Sequence, residues 1–288
     1  MQSYNPASAD DLRSRLGIDV PTSYLRLLLC GVLFCVVSLI ASTPAQGIEA
    51  LPGSTWGSVS YSAQGQTGTG FMGWINQGID WTTLPGGITL NTYAEYRYRS
   101  QTENKDYFNA QGPVLGLEFR KWFLRLGTDY YWEVFPDWPG GGMRSNNHEY
   151  YLAGYYNWDV SKLSGMNSSK IVGLPGSIWF NLTYDAKGLT GSGSMGWINQ
   201  GIDWVTLPGG IVFDTYVEYR YRSQTKQKEY YNAYGPVVGL EFKKSFFRLG
   251  ADYYWRKYPE WPVGGQRTNY LEFYLTWYVD WDLKKKTQ

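Results

Sequence analysis

The chain has 288 residues, which is enough for one large all-β domain or two smaller ones. Its 34 glycines, 26 tyrosines and 14 tryptophans, with only 18% charged residues, are typical of sheets with Gly-rich turns and exclude a disordered chain. The net charge of +1 gives no sign of the basic face that a nucleic-acid partner requires. Both cysteines, Cys30 and Cys35, precede the body of the chain, which excludes a disulfide framework or thiolate metal site there. We expect no metal and no cofactor.

Residues 1–46 are predicted to be a polar lead followed by a signal or anchor segment. The run from Leu27 to Ile40 is uncharged and follows Arg26. It is shorter than the roughly 20 apolar residues of a membrane-spanning helix. Thr43 and Ala45 are small enough for a cleavage site after Ala45, which is the pattern of an export signal. The alternative is an anchor that the mature protein retains.

A long internal repeat dominates the body, residues 47–288. The sequence WINQGIDWTTLPGG at residues 74–87 returns as WINQGIDWVTLPGG at residues 197–210, which is 123 residues later. The same offset carries Pro52 onto Pro175 and Trp158 onto Trp281 without an insertion or deletion. A period of this length predicts a duplicated half-domain, with halves at about residues 52–162 and 175–285.

Alternation with a period of two residues recurs between the turn signals and predicts β-strands. In residues 92–99, Ala94, Tyr96 and Tyr98 share one face, whereas Glu95 and Arg97 share the other. Six strands fit each half, near residues 55–63, 70–84, 88–101, 109–121, 123–135 and 148–160, and near 178–186, 194–207, 211–224, 232–244, 246–258 and 270–283.

Short turns alternate with longer connections along the chain. Residues 85–87 and the corner at residues 120–123 are tight, whereas residues 100–108 and 136–147 are longer and polar or Gly-rich. Short turns on one rim and long loops on the other are typical of an outer-membrane barrel. We therefore predict one antiparallel transmembrane β-barrel of about twelve strands, built from two six-stranded halves. The alternative is a secreted β-protein whose apolar faces pack inward.

Over residues 55–283 this pattern resembles the bacterial outer-membrane β-barrel class, in particular twelve-stranded pores with arginine-bearing lumens. The resemblance is one of architecture and identifies no specific family. It implies a bacterial outer-membrane location, reached through the N-terminal signal, with membrane lipid as a partner.

If the charged faces point inward, charged residues of both halves line the lumen. One wall then holds Glu95, Arg97, Arg99, Glu118, Arg120, Arg125, Asp129 and Glu133, and the other Glu218, Arg220, Arg222, Glu241, Lys243, Arg248 and Asp252. Cations that face carboxylates across a pore select solutes by charge. Inward aromatic rings could stack on sugars, and the candidates are Trp74, Tyr93, Tyr131, Tyr155, Trp197, Tyr216 and Tyr254.

Catalytic residues are not expected. The only histidine, His148, falls on the apolar face at a predicted strand end, and Leu271 stands at its repeat position. Carboxylate pairs such as Asp80 with Glu95, or Glu118 with Asp129, lie near arginines, which favours structural ion pairs. The predicted function is an outer-membrane channel for small polar solutes, with anions and saccharides as candidates. The alternatives are a secreted carbohydrate-binding β-protein and a structural envelope barrel without transport. The sequence leaves the oligomeric state open.

Overall fold

The structure is a computed structural model, and it describes residues 48–62, 68–103, 105, 108–139, 141–161, 171–185, 191–226, 228, 231–260 and 265–284. The predicted signal or anchor segment lies outside the described residues. Within them, no helix is long and apolar enough to cross a membrane.

Twelve β-strands form the body of the chain. They are β1 (Pro52–Ser62), β2 (Thr69–Leu84), β3 (Ile88–Gln101), β4 (Ala110–Lys121), β5 (Leu124–Phe135), β6 (Met143–Asp159), β7 (Pro175–Asp185), β8 (Ser192–Leu207), β9 (Ile211–Gln224), β10 (Ala233–Lys244), β11 (Phe247–Tyr258) and β12 (Gln266–Asp282). Each of β1 to β6 has a counterpart of the same length 123 residues later.

All twelve strands pair antiparallel with their neighbours and close into one barrel. Strand β1 pairs with β12, from Pro52 opposite Asp282 to Ser62 opposite Glu272. At the centre of the chain β6 pairs with β7, so that Asp159 lies opposite Pro175. The two sets of six strands therefore share a single wall and do not close separately. This confirms the predicted fold, one closed antiparallel barrel of twelve strands.

Strands β6 and β12 begin earlier than predicted. Strand β6 starts at Met143 and β12 at Gln266, whereas the alternation predicts starts near His148 and Tyr270. The extra residues extend the ladder with β5 as far as Phe135. Their outward side chains, such as Arg144, are polar. The alternation of apolar and polar residues that predicts a strand is therefore absent from this part of β6. His148 consequently lies within a strand and not at its end.

The exposed face of the barrel is apolar. Tyr96 and Leu115 are 45% and 52% exposed, although they are large hydrophobic side chains on neighbouring strands. Glu118 and Asp129, on the opposite face of the wall, are 4% and 2% exposed. A closed sheet with apolar side chains outside and charged ones inside is the arrangement of a transmembrane barrel. This arrangement is the reverse of the apolar core that a secreted soluble β-protein needs.

Four outward tryptophans have hydrogen-bonded indole nitrogens. Trp158 donates from Nε1 to Gln200 (2.8 Å), and its repeat counterpart Trp281 donates to Gln77 (2.9 Å). The indoles of Trp81 and Trp204 donate to threonine hydroxyls, both at 2.8 Å. An indole N–H that faces lipid is costly unless it has a partner, and these side chains therefore suit the membrane interface.

The two rims of the barrel differ in their connections. At the loop end, six connections of six to eight residues join successive hairpins. At the turn end, two turns of two or three residues precede the link at residues 160–174, and two more follow it before the chain ends meet. Gly86 and Gly87 have positive φ of 84° and 75°, a backbone that L side chains rarely adopt. Gly209 and Gly210 repeat this turn after β8.

Candidate functional site: the charged interior of the barrel

The interior face carries a hydrogen-bonded network in each half. The first network centres on Asp129, whose carboxylate accepts hydrogen bonds from Tyr93, Tyr131 and Arg97. The Arg97 Nη2 lies 3.1 Å from Asp129 Oδ2, and its Nε donates to Glu95. Charge-assisted hydrogen bonds of this kind are among the strongest in proteins. The members of the first network are Tyr93, Glu95, Arg97, Glu118, Asp129, Tyr131, Glu149 and Tyr151.

The second network repeats these contacts 123 residues later. Asp252 accepts hydrogen bonds from Tyr216, Tyr254 and Arg220, and the Arg220 Nη2 again lies 3.1 Å from the carboxylate. Arg220 also donates to Glu218. The members of the second network are Tyr216, Glu218, Arg220, Glu241, Asp252, Tyr254, Glu272 and Tyr274.

Inward glycines make room for the tyrosines of both networks. A Cβ atom built on Gly116 would lie 2.2 Å from the Tyr93 ring, and one on Gly239 would lie 2.3 Å from the Tyr216 ring. Gly127 accommodates Tyr151 in the same way. The rings therefore lie flat on the backbone of the adjacent strand, where their hydroxyls reach the buried carboxylates.

Near the turn end the two halves use different ion pairs. In the first half Arg120 pairs with Asp80, and the Asn91 amide donates to the same carboxylate at 2.7 Å. In the second half Lys243 lies between Asp203 (2.5 Å) and Asp214 (2.6 Å). Asp214 stands where the first half has Asn91, so this lysine balances two carboxylates.

Two tryptophans and two arginines that were predicted to face the lumen also lie on the interior face. Trp74 stacks on Trp56 with ring centroids 4.8 Å apart, and Trp197 stacks on Trp179 at 4.7 Å. At the turn end, Arg248 pairs with Glu241 at 3.3 Å and remains 58% exposed in its side chain, and Arg125 occupies the equivalent position on β5.

At the loop end the halves differ in charge. Arg99 Nη2 lies 4.0 Å from Glu133 in the first half. In the second half Arg222 has Arg256 in place of that glutamate. Arg222 donates from Nε to the backbone oxygen of Tyr231 at 2.7 Å. Burial raises the pKa of the Tyr231 hydroxyl, while the positive charges of Arg222 and then Arg99 oppose that shift.

The interior therefore brings together the residues that the sequence assigns to two walls. Glu95, Arg97, Glu118 and Asp129 join one network, and Glu218, Arg220, Glu241 and Asp252 join the other. Asp80 and Glu95, considered above as a carboxylate pair, each bind a different arginine. Glu149, Glu272 and Arg256 also face the interior, although the sequence patterns did not predict them as site residues. Reading each position against its counterpart 123 residues away would have revealed Arg256, because it replaces a glutamate.

His148 lies on the outward face. Its Nε2 is 2.5 Å from the Thr128 hydroxyl, and its ring lies 4.6 Å from that of Tyr150 and 6.5 Å from that of Tyr130. It therefore contacts outward side chains and does not face the interior networks. In the described part of the chain, no three His, Cys, Asp or Glu side chains are grouped so as to hold a metal ion.

No family model and no curated protein matches the sequence. Among solved structures, the beta domain of the Bordetella autotransporter BrkA is 11% identical, with a TM-score of 0.34 over 79% of this chain and 98% of that chain. LpxR from Salmonella typhimurium is 12% identical, with a TM-score of 0.38 over 78% and 99%. A Rhodopseudomonas blastica porin variant is 8% identical, with a TM-score of 0.30 over 80% and 99%.

These neighbours are outer-membrane barrels that differ widely in sequence from this chain. The chain's own strand pairing and its outward apolar face carry the structural assignment. On those grounds the chain is a closed twelve-stranded β-barrel of the outer-membrane type.

Proposed function

We propose that the protein is an outer-membrane channel that passes small polar solutes, with a preference for anions or saccharides, and performs no chemistry. The observation that carries the proposal is the reversal of faces: charged side chains line the interior while large apolar side chains cover the exterior. Such an interior favours water and hydrated solutes over lipid. Its mixed cations and carboxylates would impose an electric field across the path of a solute.

A structural barrel without transport is the second candidate. It is favoured by the dense packing of the two networks, in which Asp252 and Tyr254 are each only 1% exposed. Interior side chains of a barrel of this size can fill much of its width. In this account the networks brace the wall, and solutes do not pass.

Planar-bilayer recordings separate the two candidates. We expect the purified wild-type barrel to give discrete conductance steps in KCl. The double variant Arg97→Ala, Arg220→Ala removes one interior cation from each network and leaves the carboxylates that those arginines bind. Its reversal potential in a salt gradient should therefore shift toward cation selectivity.

The matched control is the double variant Arg144→Ala, Arg267→Ala. These arginines are also 123 residues apart, but they lie on the outward face beside Val134 and Lys257. We expect the control to keep the wild-type conductance and reversal potential. Absence of current from the folded wild-type barrel would favour the structural candidate, and identical selectivity in both double variants would refute the proposed role of the interior arginines.

A further inference from the structure

The loop end of the second half contains two arginines that lack a carboxylate partner. Arg99 in the first half is paired with Glu133, but the equivalent Arg222 faces Arg256. Arg222 lies opposite Ala233 on β10, and Lys257, the neighbour of Arg256, lies opposite Tyr234, so the two arginines flank the start of the same strand. Among the described residues, neither arginine forms an ion pair. Two neighbouring cations on an interior wall are unfavourable unless an anion joins them.

A carboxylate is nearby but is already engaged. Glu272 lies opposite Asp252 and accepts a hydrogen bond from Tyr254 at 3.3 Å. It therefore belongs to the second network, and among the described residues it forms no ion pair with Arg256. The first-half counterpart of Glu272 is Glu149, which accepts a hydrogen bond from Tyr131 in the same way at 3.2 Å.

Aromatic rings hold both guanidinium groups in place. The Arg256 guanidinium lies 4.8 Å from the centroid of the Tyr254 ring and 5.8 Å from that of Tyr270, and these two rings are stacked 4.6 Å apart. The Arg222 guanidinium lies 5.0 Å from the Tyr231 ring. Such contacts fix the plane of a guanidinium and leave its edge free to form paired hydrogen bonds with an oxyanion.

Polar atoms without partners complete the surroundings. Thr268, which pairs with Arg256 across β11 and β12, has a buried hydroxyl with no hydrogen-bond partner in the described part of the chain. The side-chain oxygen of Gln266 is also buried and has no hydrogen-bond partner among the described residues. The first half has Ser145 and Met143 at these positions. Buried polar groups normally have partners, so their concentration beside two unpaired cations indicates a place for a polar ligand.

We infer that Arg222, Arg256, Tyr231, Gln266 and Thr268 form an oxyanion-binding site, here called the arginine site, at the loop end of the second half only. Its ligand is the carboxylate or phosphate group of a hydroxylated solute, held by the guanidinium edges while its hydroxyls bond to Thr268 and Gln266. The inference deepens the proposed channel function by placing one docking point for anions at one rim. The first half offers no equivalent, because Glu133 stands where the second half has Arg256, and Phe108 replaces Tyr231.

Calorimetric titration of the detergent-purified full chain tests the site. The probes are inorganic phosphate and D-glucuronate, and the wild-type barrel should bind at least one of them. We expect Arg256→Gln to weaken that binding by about tenfold or more, because a charge-assisted bidentate contact is lost. Arg256→Lys, which keeps the charge but loses the planar fork, should show a smaller loss.

The matched control is Lys257→Gln, which removes one positive charge from the adjacent residue on the outward face. Its affinity should stay within about twofold of wild type, because an exposed charge on the other side of the wall contributes little. Equal losses in Lys257→Gln and Arg256→Gln, or no binding of either probe by the wild type, would overturn the site. Tighter binding of glucuronate identifies a sugar acid as the ligand class, and tighter binding of phosphate identifies a phosphorylated solute.

Failure of the site and failure of the channel give different results. A barrel that binds a probe but carries no current retains the arginine site and loses the channel function. A barrel that conducts but binds neither probe retains the channel and loses the site. Retained probe affinity in a folded Arg256→Gln protein, checked by heat-modifiable electrophoretic mobility, also rejects the site.

Discussion

The two halves of the barrel are nearly identical in the middle of the wall and different at its rims. Asp129 and Asp252 each bind two tyrosines and one arginine, with an arginine–carboxylate distance of 3.1 Å in both halves. At the loop end, by contrast, Glu133 is replaced by Arg256. The buried networks are the same in both halves because each of their members satisfies another, so a change at one member would leave several partners unpaired.

The ion pairs at the turn end also differ between the two halves, but by smaller changes. Arg120 and Lys243 occupy equivalent positions. Lys243 binds two aspartates, Asp203 and Asp214. Arg120 binds Asp80 and lies 3.6 Å from Glu118, and Asn91 takes the place of the second aspartate. The charge balance of the second half is therefore more negative at the turn end and more positive at the loop end. This separation of charge along the barrel axis is absent from the first half.

The largest expected effect comes from removing the central carboxylate of either network. Asp129→Ala leaves Arg97 and two tyrosine hydroxyls without their shared partner, and Asp252→Ala does the same to Arg220. Breaking one side of a buried ion pair costs about 3–5 kcal/mol. We expect similar losses in the two variants, measured as the free energy of unfolding from urea titration in lipid vesicles. Glu103→Ala, at an exposed position on a loop, should change stability by less than about 0.5 kcal/mol.

Unequal losses would break the equivalence of the halves. If Asp129→Ala were strongly destabilising and Asp252→Ala harmless, the two networks would not be equivalent supports of the wall. Additive losses in the double variant are expected, since well-separated sites behave independently.

A smaller effect is expected from filling the space beneath the tyrosine rings. Gly116→Val and Gly239→Val each place a side chain where the Tyr93 or Tyr216 ring lies. Overpacking of this kind costs about 1–3 kcal/mol in the free energy of unfolding. The control is Ala94→Val, which adds volume to the outward face of β3 toward lipid. A valine at Gly116 that left stability at the wild-type value would show that the Tyr93 ring does not lie on the wall.

The smallest expected effect comes from exchanging one rim residue for its counterpart. Asp214→Asn gives the second half the asparagine of the first, so that its amide can donate to Asp203 as Asn91 does to Asp80. We expect a gain of about 0.5–1.5 kcal/mol in the free energy of unfolding at pH 8, the usual value of one hydrogen bond. The reciprocal Asn91→Asp should destabilise the barrel. A loss of stability in Asp214→Asn would mean that Lys243 requires both carboxylates.

Much of the fold follows from patterns that act locally. The alternation in residues 92–99 predicts a strand with Tyr96 and Tyr98 on one face and Arg97 on the other, and β3 has that arrangement. The starts of β6 and β12 were predicted less well, because outside the membrane a strand can continue with polar side chains on both faces. Backbone hydrogen bonds to β5 and β11 support those residues, and such bonds leave no mark in the sequence.

The site was predicted in part. Charged residues on neighbouring strands were recognised as one set because they share the polar face. Their partners were not predictable, since the partners lie far apart in the chain, such as Tyr151 and Glu118 (2.9 Å) or Arg97 and Asp129 (3.1 Å). The tilt and stagger of the strands decide which side chains meet at one level of the barrel.

The sequence by itself determined the strands, their two faces and the equal spacing of the two halves, because the two-residue period and the turn residues act over short distances. Only the tertiary structure decided that the charged face is the inner one and that all twelve strands share one wall. Those outcomes depend on the pairing of β1 with β12 and of β6 with β7, which closes the barrel. The pairing of β10 with β9 and β11 likewise places Arg222 and Arg256 on either side of one strand, and the sequence positions alone do not reveal this.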